Sequence, residues 1–235
     1  MDMPSLQISA KDLGLLNSDD FCEKCFWIKR HDRDLPYQMP FPSIFYSIDG
    51  YTKFVIKRYF ARYKRLPSWL GGIGDVKTLV EVPQRGYSVT KGSTTITGIP
   101  DQPFQRNDGS YGILDYKTAK YSVGQDKLMP IYNVQLNGYA YMMEELDMKP
   151  VTSLYLVYFE PPSLNEFEKM ISGEINNEGF EMPFRPVIHE ITRNVKMVEE
   201  LLQKAIKIYN LNEPPNGRTG CPDCKRLNEL IRLVA

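Results

Sequence analysis

Histidine, tryptophan, long apolar runs and net charge are all scarce or absent in this chain. Only His31 and His189 occur in 235 residues. His31 lies in a basic leading segment and His189 in a late strand, and both read as structural or solvated groups. Trp27 and Trp69 are the two tryptophans and read as packing residues. No apolar stretch approaches the roughly 18 residues needed to span a bilayer. Met1-Asp2-Met3-Pro4 does not form a basic segment followed by an apolar one, so no secretory leader is read and a cytoplasmic location is expected. There is no internal repeat and no low-complexity tract. The 29 basic residues balance 29 acidic ones. That balance does not exclude a nucleic-acid partner, because basic residues need only cluster.

They do cluster. Lys53, Lys57, Arg58, Arg62, Lys64 and Arg65 follow one another with no acid among them. The run reads either as a solvated helix face or as a helix that tracks a phosphate backbone. Tyr51, Phe54, Tyr59, Phe60 and Tyr63 interleave with it, and most are expected in the core. No cysteine is left over either: Cys22-x-x-Cys25 and Cys221-x-x-Cys224 account for all four. Disulfides are unexpected in a cytosolic protein. Two spaced pairs with no spare fit a four-thiolate metal site, with two unrelated pairs of idle thiols as the plain alternative.

Residues 18–42 read as an irregular leading segment. Residues 43–65 read as a long amphipathic helix, with Ile48, Thr52, Ile56, Tyr59 and Tyr63 on one face and Asp49 at its border, where a carboxylate can turn into a cleft. Strands are expected at 86–91, 94–101 and 111–117, joined by turns at Lys91-Gly92-Ser93 and Arg106-Asn107-Asp108-Gly109. A helix over 131–146 stops before Pro150, and a buried strand follows at 152–159. An acidic, loop-rich insert with Glu166, Glu168, Glu174, Glu178 and Glu181 spans 161–184. A strand at 186–191 and a helix at 194–209 close the pattern. The three first strands should pair as a meander and the strand after the helix should join by a crossover. The expected fold is α/β, a mixed sheet with helices on its faces.

The chemistry sits at strand ends. Gly98-Ile99-Pro100-Asp101 is followed, after thirteen residues, by Asp115-Tyr116-Lys117-Thr118. Pro100 marks a strand end or sheet edge. Lys117 lies two residues beyond Asp115, so both side chains leave one face of the strand. Hydrolysis of a phosphodiester needs a nucleophilic water, charge relief on the phosphoryl oxygens and help for the leaving oxygen. Mg²⁺ or Mn²⁺ supplies all three, and Mg²⁺ is content with one or two carboxylates and several waters. Asp101 and Asp115 are the candidate metal ligands, and the Lys117 ammonium would orient water or stabilise charge. The plain alternative is a salt-bridged Asp–Lys pair beside an unrelated turn aspartate. Gln135-x-x-x-Tyr139 puts both side chains on one face of the next helix, where Gln135 can hydrogen-bond a phosphate or a metal-bound water and Tyr139 can stack on a base or position the backbone, with a surface Gln above a core Tyr as the plain alternative.

Taken in order, Gly98–Asp101, Ile113-Leu114-Asp115-Tyr116-Lys117-Thr118 and Gln135-x-x-x-Tyr139 resemble the successive motifs of the PD-(D/E)XK nuclease superfamily, in particular its RecB-like branch, which includes CRISPR-associated RecB-like exonucleases. The resemblance covers residues 43–160. It implies a restriction-endonuclease-like core within one domain over 1–235, with the cysteine-bearing segments 18–42 and 193–235 forming a lobe. It implies a Mg²⁺- or Mn²⁺-dependent deoxyribonuclease, exonucleolytic or directed to single strands and flaps, with a catalytically inactive nucleic-acid-binding module on the same fold as the alternative. Asp101 and Asp115 would hold metal, Lys117 would be catalytic, and Gln135 and Tyr139 would support the site. Relatives of this branch carry a His or Glu ligand on the first helix; here Asp49 stands near that place, with Glu81 as a fallback. The implied partner is DNA, as single strands or duplex ends, along with proteins of DNA repair or CRISPR adaptation. Iron–sulfur relatives split their cysteines one and three, whereas this chain splits them two and two. A [4Fe–4S] cluster, to which the resemblance leans, and a structural Zn²⁺ are the expected occupants.

Overall fold

The computed structural model describes residues 5–32, 42–121, 127–170, 175–176 and 179–234. Residues 33–41 of the leading segment, and Glu174 and Glu178 of the acidic insert, lie outside them. The chain starts with strand β1 (Leu6–Ser9), which buries Leu6 and Ile8 on alternate positions. Ser9 caps helix α1 (Ala10–Gly14) by accepting from the Asp12 N–H. Helix α2 (Glu23–His31) occupies part of the segment expected to be irregular. Its order comes from tertiary contacts: the Trp27 ring stacks on His31, His31 on Tyr209, and Trp27 Nε1–H donates to the Leu211 carbonyl at 2.9 Å.

Helix α3 (Ser43–Tyr63) ends where Lys64 turns left-handed at φ 54°. Only Ile56 and Phe60 of this helix are buried. Tyr51, Phe54 and Tyr63 are exposed, so the expectation of mostly core aromatics, and of Tyr63 on the buried face, is corrected. The inner stripe runs through Thr52, Ile56 and Phe60, and the helix stands clear of the sheet on its other side. A 3-10 turn (Ser68–Ile73) leads to the short strand β2 (Thr78–Leu79).

Strands β3 (Tyr87–Lys91) and β4 (Thr94–Gly98) form a hairpin, and β1 joins β4 in parallel. The strand expected over 94–101 breaks after Gly98. The chain crosses at Ile99–Asp101 into a second sheet and continues as β5 (Gln102–Gln105). The meander is therefore divided between two sheets, at Pro100, where a missing N–H cannot extend a ladder. β5 pairs antiparallel with β6 (Tyr111–Lys117) across the predicted turn, with Gly109 at φ 87°. Helix α4 (Met129–Glu145) crosses over to β7 (Val151–Glu160), which lies parallel to β6. The insert holds helix α5 (Leu164–Met170) and the short pair β8 (Ile175–Asn176) and β9 (Gly179–Phe180). β10 (Arg185–Ile191) pairs antiparallel with β7, completing a five-stranded mixed sheet in the order β10-β7-β6-β5-β2. Helices α6 (Val195–Tyr209) and α7 (Pro222–Val234) end the chain. The fold is mixed α/β, with mixed sheets flanked by helices.

Two cores sandwich the larger sheet. Ile113 faces one, with α1, α4 and α6; Leu114 and Tyr116 face the other, with Ile56 and Phe60 of α3. The alternation along β6 thus sends residue 115 toward α4. From Val134 to Met143 every residue of α4 is buried. Gly138 admits α1: a Cβ there would lie 2.9 Å from the Ala10 Cβ. Among the described residues, no helix is long and apolar enough to cross a membrane.

Candidate active site

The β5–β6 ladder sets Gln102 opposite Leu114, so residue 101 falls opposite residue 115. Asp101 is held by its own strand junction: Oδ2 accepts from the Tyr116 backbone N–H at 2.7 Å. Its Oδ1 lies 2.7 Å from the Lys53 ammonium, which reaches in from α3. Lys53 also donates to Asp49 Oδ2 at 2.7 Å, one helical turn back. Asp115 is buried, and its Oδ2 lies 2.5 Å from Lys117 Nζ. That ammonium sits 4.3 Å from the centre of the Tyr132 ring, a cation–π contact from the first turns of α4. On the next turn Gln135 Nε2–H donates to the Tyr139 hydroxyl at 2.6 Å, while Gln135 Oε1 is buried with no hydrogen-bond partner among the described residues.

Gly98 explains how Tyr139 comes so near. A Cβ at position 98 would lie 2.5 Å from Tyr139 Cε1 and 2.8 Å from Met142 Cε. Glycine lets the α4 face press onto the end of β4, just before Asp101.

The electrostatics are those of crowded carboxylates. Burial and the Asp115 charge push Asp101 up to about 6, against the pull of Lys53 and the Tyr116 N–H. Burial works against the ammoniums of Lys117 and Lys53, yet Asp115 raises the first above its ordinary range and Asp101 the second. Tyr139 and Tyr116 are both held protonated, first by burial and then by the nearby aspartates. Three carboxylates (Asp49, Asp101, Asp115) and two ammoniums (Lys53, Lys117) leave the fully ionised cluster at −1.

Asp49, Asp101, Asp115, Lys117, Gln135 and Tyr139 thus gather at one end of the sheet, between α3 and α4. Glu81 does not join them: it pairs with Lys57 at 3.3 Å, largely in solvent. Lys53 and Tyr132 join the site beyond the residues expected from the sequence. The signal for Lys53 was present, four residues after Asp49 on the same helix. Tyr132 had none beyond its place one turn before Gln135.

The cysteines come together at a second place. Their four sulfurs all lie within 4.8 Å of one another, with Cys22–Cys224, Cys25–Cys221 and Cys25–Cys224 each at 3.6 Å. The leading and trailing segments are thereby joined through α2 and α7. The Arg218 N–H points at Cys22 Sγ at 3.3 Å. Burial opposes the Cys22 thiolate, but that N–H and the neighbouring thiols bring it down to about 7. A cavity of about 590 Å³ lined by Asp12, Cys25, Arg30 and Arg226 adjoins these cysteines and includes none of the carboxylates above.

The sequence model of the PD-(D/E)XK nuclease superfamily matches residues 34–227 of this chain. No curated protein is matched by the sequence. Among solved structures, a phage-related exonuclease from Haemophilus somnus is similar at 14% identity and a TM-score of 0.48, over 88% of this chain and 94% of that one. An alkaline exonuclease from Laribacter hongkongensis is similar at 10% identity and a TM-score of 0.47, over 97% and 95% of the two chains.

Proposed function

This chain belongs to the PD-(D/E)XK nuclease superfamily, and from that premise we propose that it is a Mg²⁺- or Mn²⁺-dependent deoxyribonuclease, exonucleolytic or directed to single strands and flaps. One observation carries the reading: Asp49 of α3, Asp101 at the junction before β5 and Asp115 of β6 converge with, among the described residues, two ammoniums between them. A divalent cation would turn a cluster of −1 into one of +1, suited to a phosphodiester anion. The donors fit a hard cation. They are carboxylate oxygens, with the orphaned Gln135 Oε1 as a further buried acceptor.

Asp101 and Asp115 would hold the ion, with Asp49 as the helix-borne third. When bound, such an ion relieves charge on the phosphoryl oxygens and activates water. The protein side chains do the rest. Lys117, clamped between Asp115 and the Tyr132 ring, presents an ammonium to the developing negative charge. Tyr139, kept protonated by burial and by the aspartates, is a donor for a phosphate oxygen. Gln135 fixes the orientation of the Tyr139 hydroxyl, and Gly98 sets how closely Tyr139 approaches. The test is degradation of labelled DNA with Mg²⁺ or Mn²⁺. Asp115→Ala and Lys117→Ala should each abolish it; undiminished cutting by either refutes the assignment.

The position of Lys53 favours a second reading. Its ammonium already answers Asp49 and Asp101, as it would in a DNA-binding module that no longer cuts. Tight DNA binding without Mn²⁺ binding would decide for that module.

The four cysteines we read as a structural metal site, and of the two expected occupants the geometry favours Zn²⁺. A tetrahedron with Zn–S of about 2.3 Å spaces its sulfurs about 3.8 Å apart, close to the 3.6 Å separations here. A four-iron cluster binds each cysteine to a different iron and spreads the sulfurs more widely. Metal analysis of anaerobically purified protein tests this. Colourless protein with stoichiometric zinc is expected, and brown protein containing iron contradicts it.

A further inference from the structure

We propose that the outer face of helix α3 is a stacking platform for single-stranded DNA, formed by Tyr51 and Phe54 together with Arg58 and Arg62. These residues recur at spacings of three and four, on the side of the helix opposite Ile56 and Phe60. Tyr51 and Phe54 are 69% and 59% exposed. Large rings turned to water along one stripe are a cost that a ligand can relieve.

The flanking charge identifies that ligand. From Lys53 to Arg65 the chain carries six cations and no acid. Lys53 and Lys57 have carboxylate partners; Arg58 and Arg62 have none among the described residues. Instead each guanidinium lies over a ring, Arg58 5.7 Å from the centre of Phe54 and Arg62 5.3 Å from that of Tyr63. Rings interleaved with unpaired arginines present stacking surfaces and phosphate contacts together. A second copy of this chain is a poor occupant. Asp49 is the sole acid on α3 and is already paired, so an isologous contact would set arginines against arginines. A duplex is a poor one too, because its bases are already stacked on one another and only its phosphates would meet the helix.

The dimensions agree. Tyr51 to Arg62 spans about 16 Å of helix at about 1.5 Å per residue, room for three to five nucleotides. The same turns carry Asp49 and Lys53 on the inner side, so a strand on this face passes about one helix diameter, roughly 10 Å, from the carboxylates. The platform deepens the nuclease reading and rests on it for its choice of DNA.

The test measures binding apart from cutting. Fluorescein-labelled oligo(dT) of about a dozen nucleotides, and a duplex of equal length, are titrated in buffer without added divalent ions with wild type, Tyr51→Ser/Phe54→Ser and Arg58→Gln/Arg62→Gln. Circular dichroism confirms that each protein is folded, and light scattering gives its oligomeric state. The serine pair should weaken oligo(dT) binding roughly tenfold or more and duplex binding far less. The glutamine pair should flatten the salt dependence on single strands by roughly 1.4 in log–log slope. Folded serine variant that binds oligo(dT) like wild type overturns the platform, as does a wild-type dimer that the serine pair splits. Cleavage with Mn²⁺ is run on the same proteins. Stacking-dependent binding without any cleavage sinks the nuclease reading alone; cleavage by proteins whose binding ignores Tyr51 and Phe54 sinks the platform alone.

Discussion

Replacing Lys53 with methionine removes the ammonium shared by Asp49 and Asp101 while keeping most of the side-chain length. In the wild type both contacts are 2.7 Å, and the lysine side chain is 32% exposed. Exposed pairs contribute about 0–1 kcal/mol and breaking a fully buried one costs about 3–5 kcal/mol, so this half-buried bridge should be worth about 1–3 kcal/mol. In a chain of this length that lowers Tm by roughly 2–12 °C in buffer without added divalent ions. The cluster would meanwhile go from −1 to −2, and a divalent cation would no longer compete with a tethered one. Mn²⁺ should bind roughly 3- to 30-fold tighter than to wild type, about 1.4 kcal/mol for each tenfold. It should also raise the variant's Tm by more. Calorimetric titration and scanning calorimetry with and without Mn²⁺ read both effects. If neither the metal-free Tm nor the Mn²⁺ affinity changes, Lys53 does not bridge these carboxylates and the electrostatic reasoning is wrong.

Other outcomes follow from the same geometry. Asp101 sits near 6 in the folded protein, above the ordinary carboxylate range. Its contribution to metal-free stability is therefore fully present at acid pH and lost as pH rises through about 6. Mn²⁺ needs the ionised form, so its affinity should climb between about pH 5 and 7 with proton release, seen as buffer-dependent binding enthalpies; a flat profile contradicts the shift. Gly98→Ala drives a methyl group into Tyr139 and Met142, which should cost about 1–3 kcal/mol in denaturant unfolding and disturb the Gln135–Tyr139 bond. An unchanged stability would mean that α4 does not press on β4 there. Cys25→Ser, or a strong chelator that strips the metal proposed for the cysteines, should lower Tm and expose α2 and α7 to protease first, since the proposed site would tie the two helices together.

The parts of this molecule set by local chemistry were readable in the residues. Asp108-Gly109 gave the β5–β6 hairpin, and the two-residue spacing of Asp115 and Lys117 gave a shared face. Four-residue spacing joined Gln135 to Tyr139. What was hidden depends on distant partners. The split of 94–101 between two sheets follows from β1, some ninety residues earlier, pairing with β4. Helix α2 draws its order from Tyr209, Leu211 and the second cysteine pair. On α3 the periodicity placed Thr52 and Ile56 inward. Hydrophobicity suggested that its aromatics were core, when Phe60 is buried and Tyr51 and Phe54 face water. Lys53 was legible as a member of a basic run, but not as the bridge between Asp49 and a residue on another element.

Anomalous diffraction from Mn²⁺-soaked crystals tests the central claim most directly. A manganese peak within coordination distance of both Asp101 and Asp115, with the Lys53 ammonium displaced from between Asp49 and Asp101, is the predicted result. Manganese absent from these aspartates, with Lys53 still bridging them at saturating ion, would contradict it.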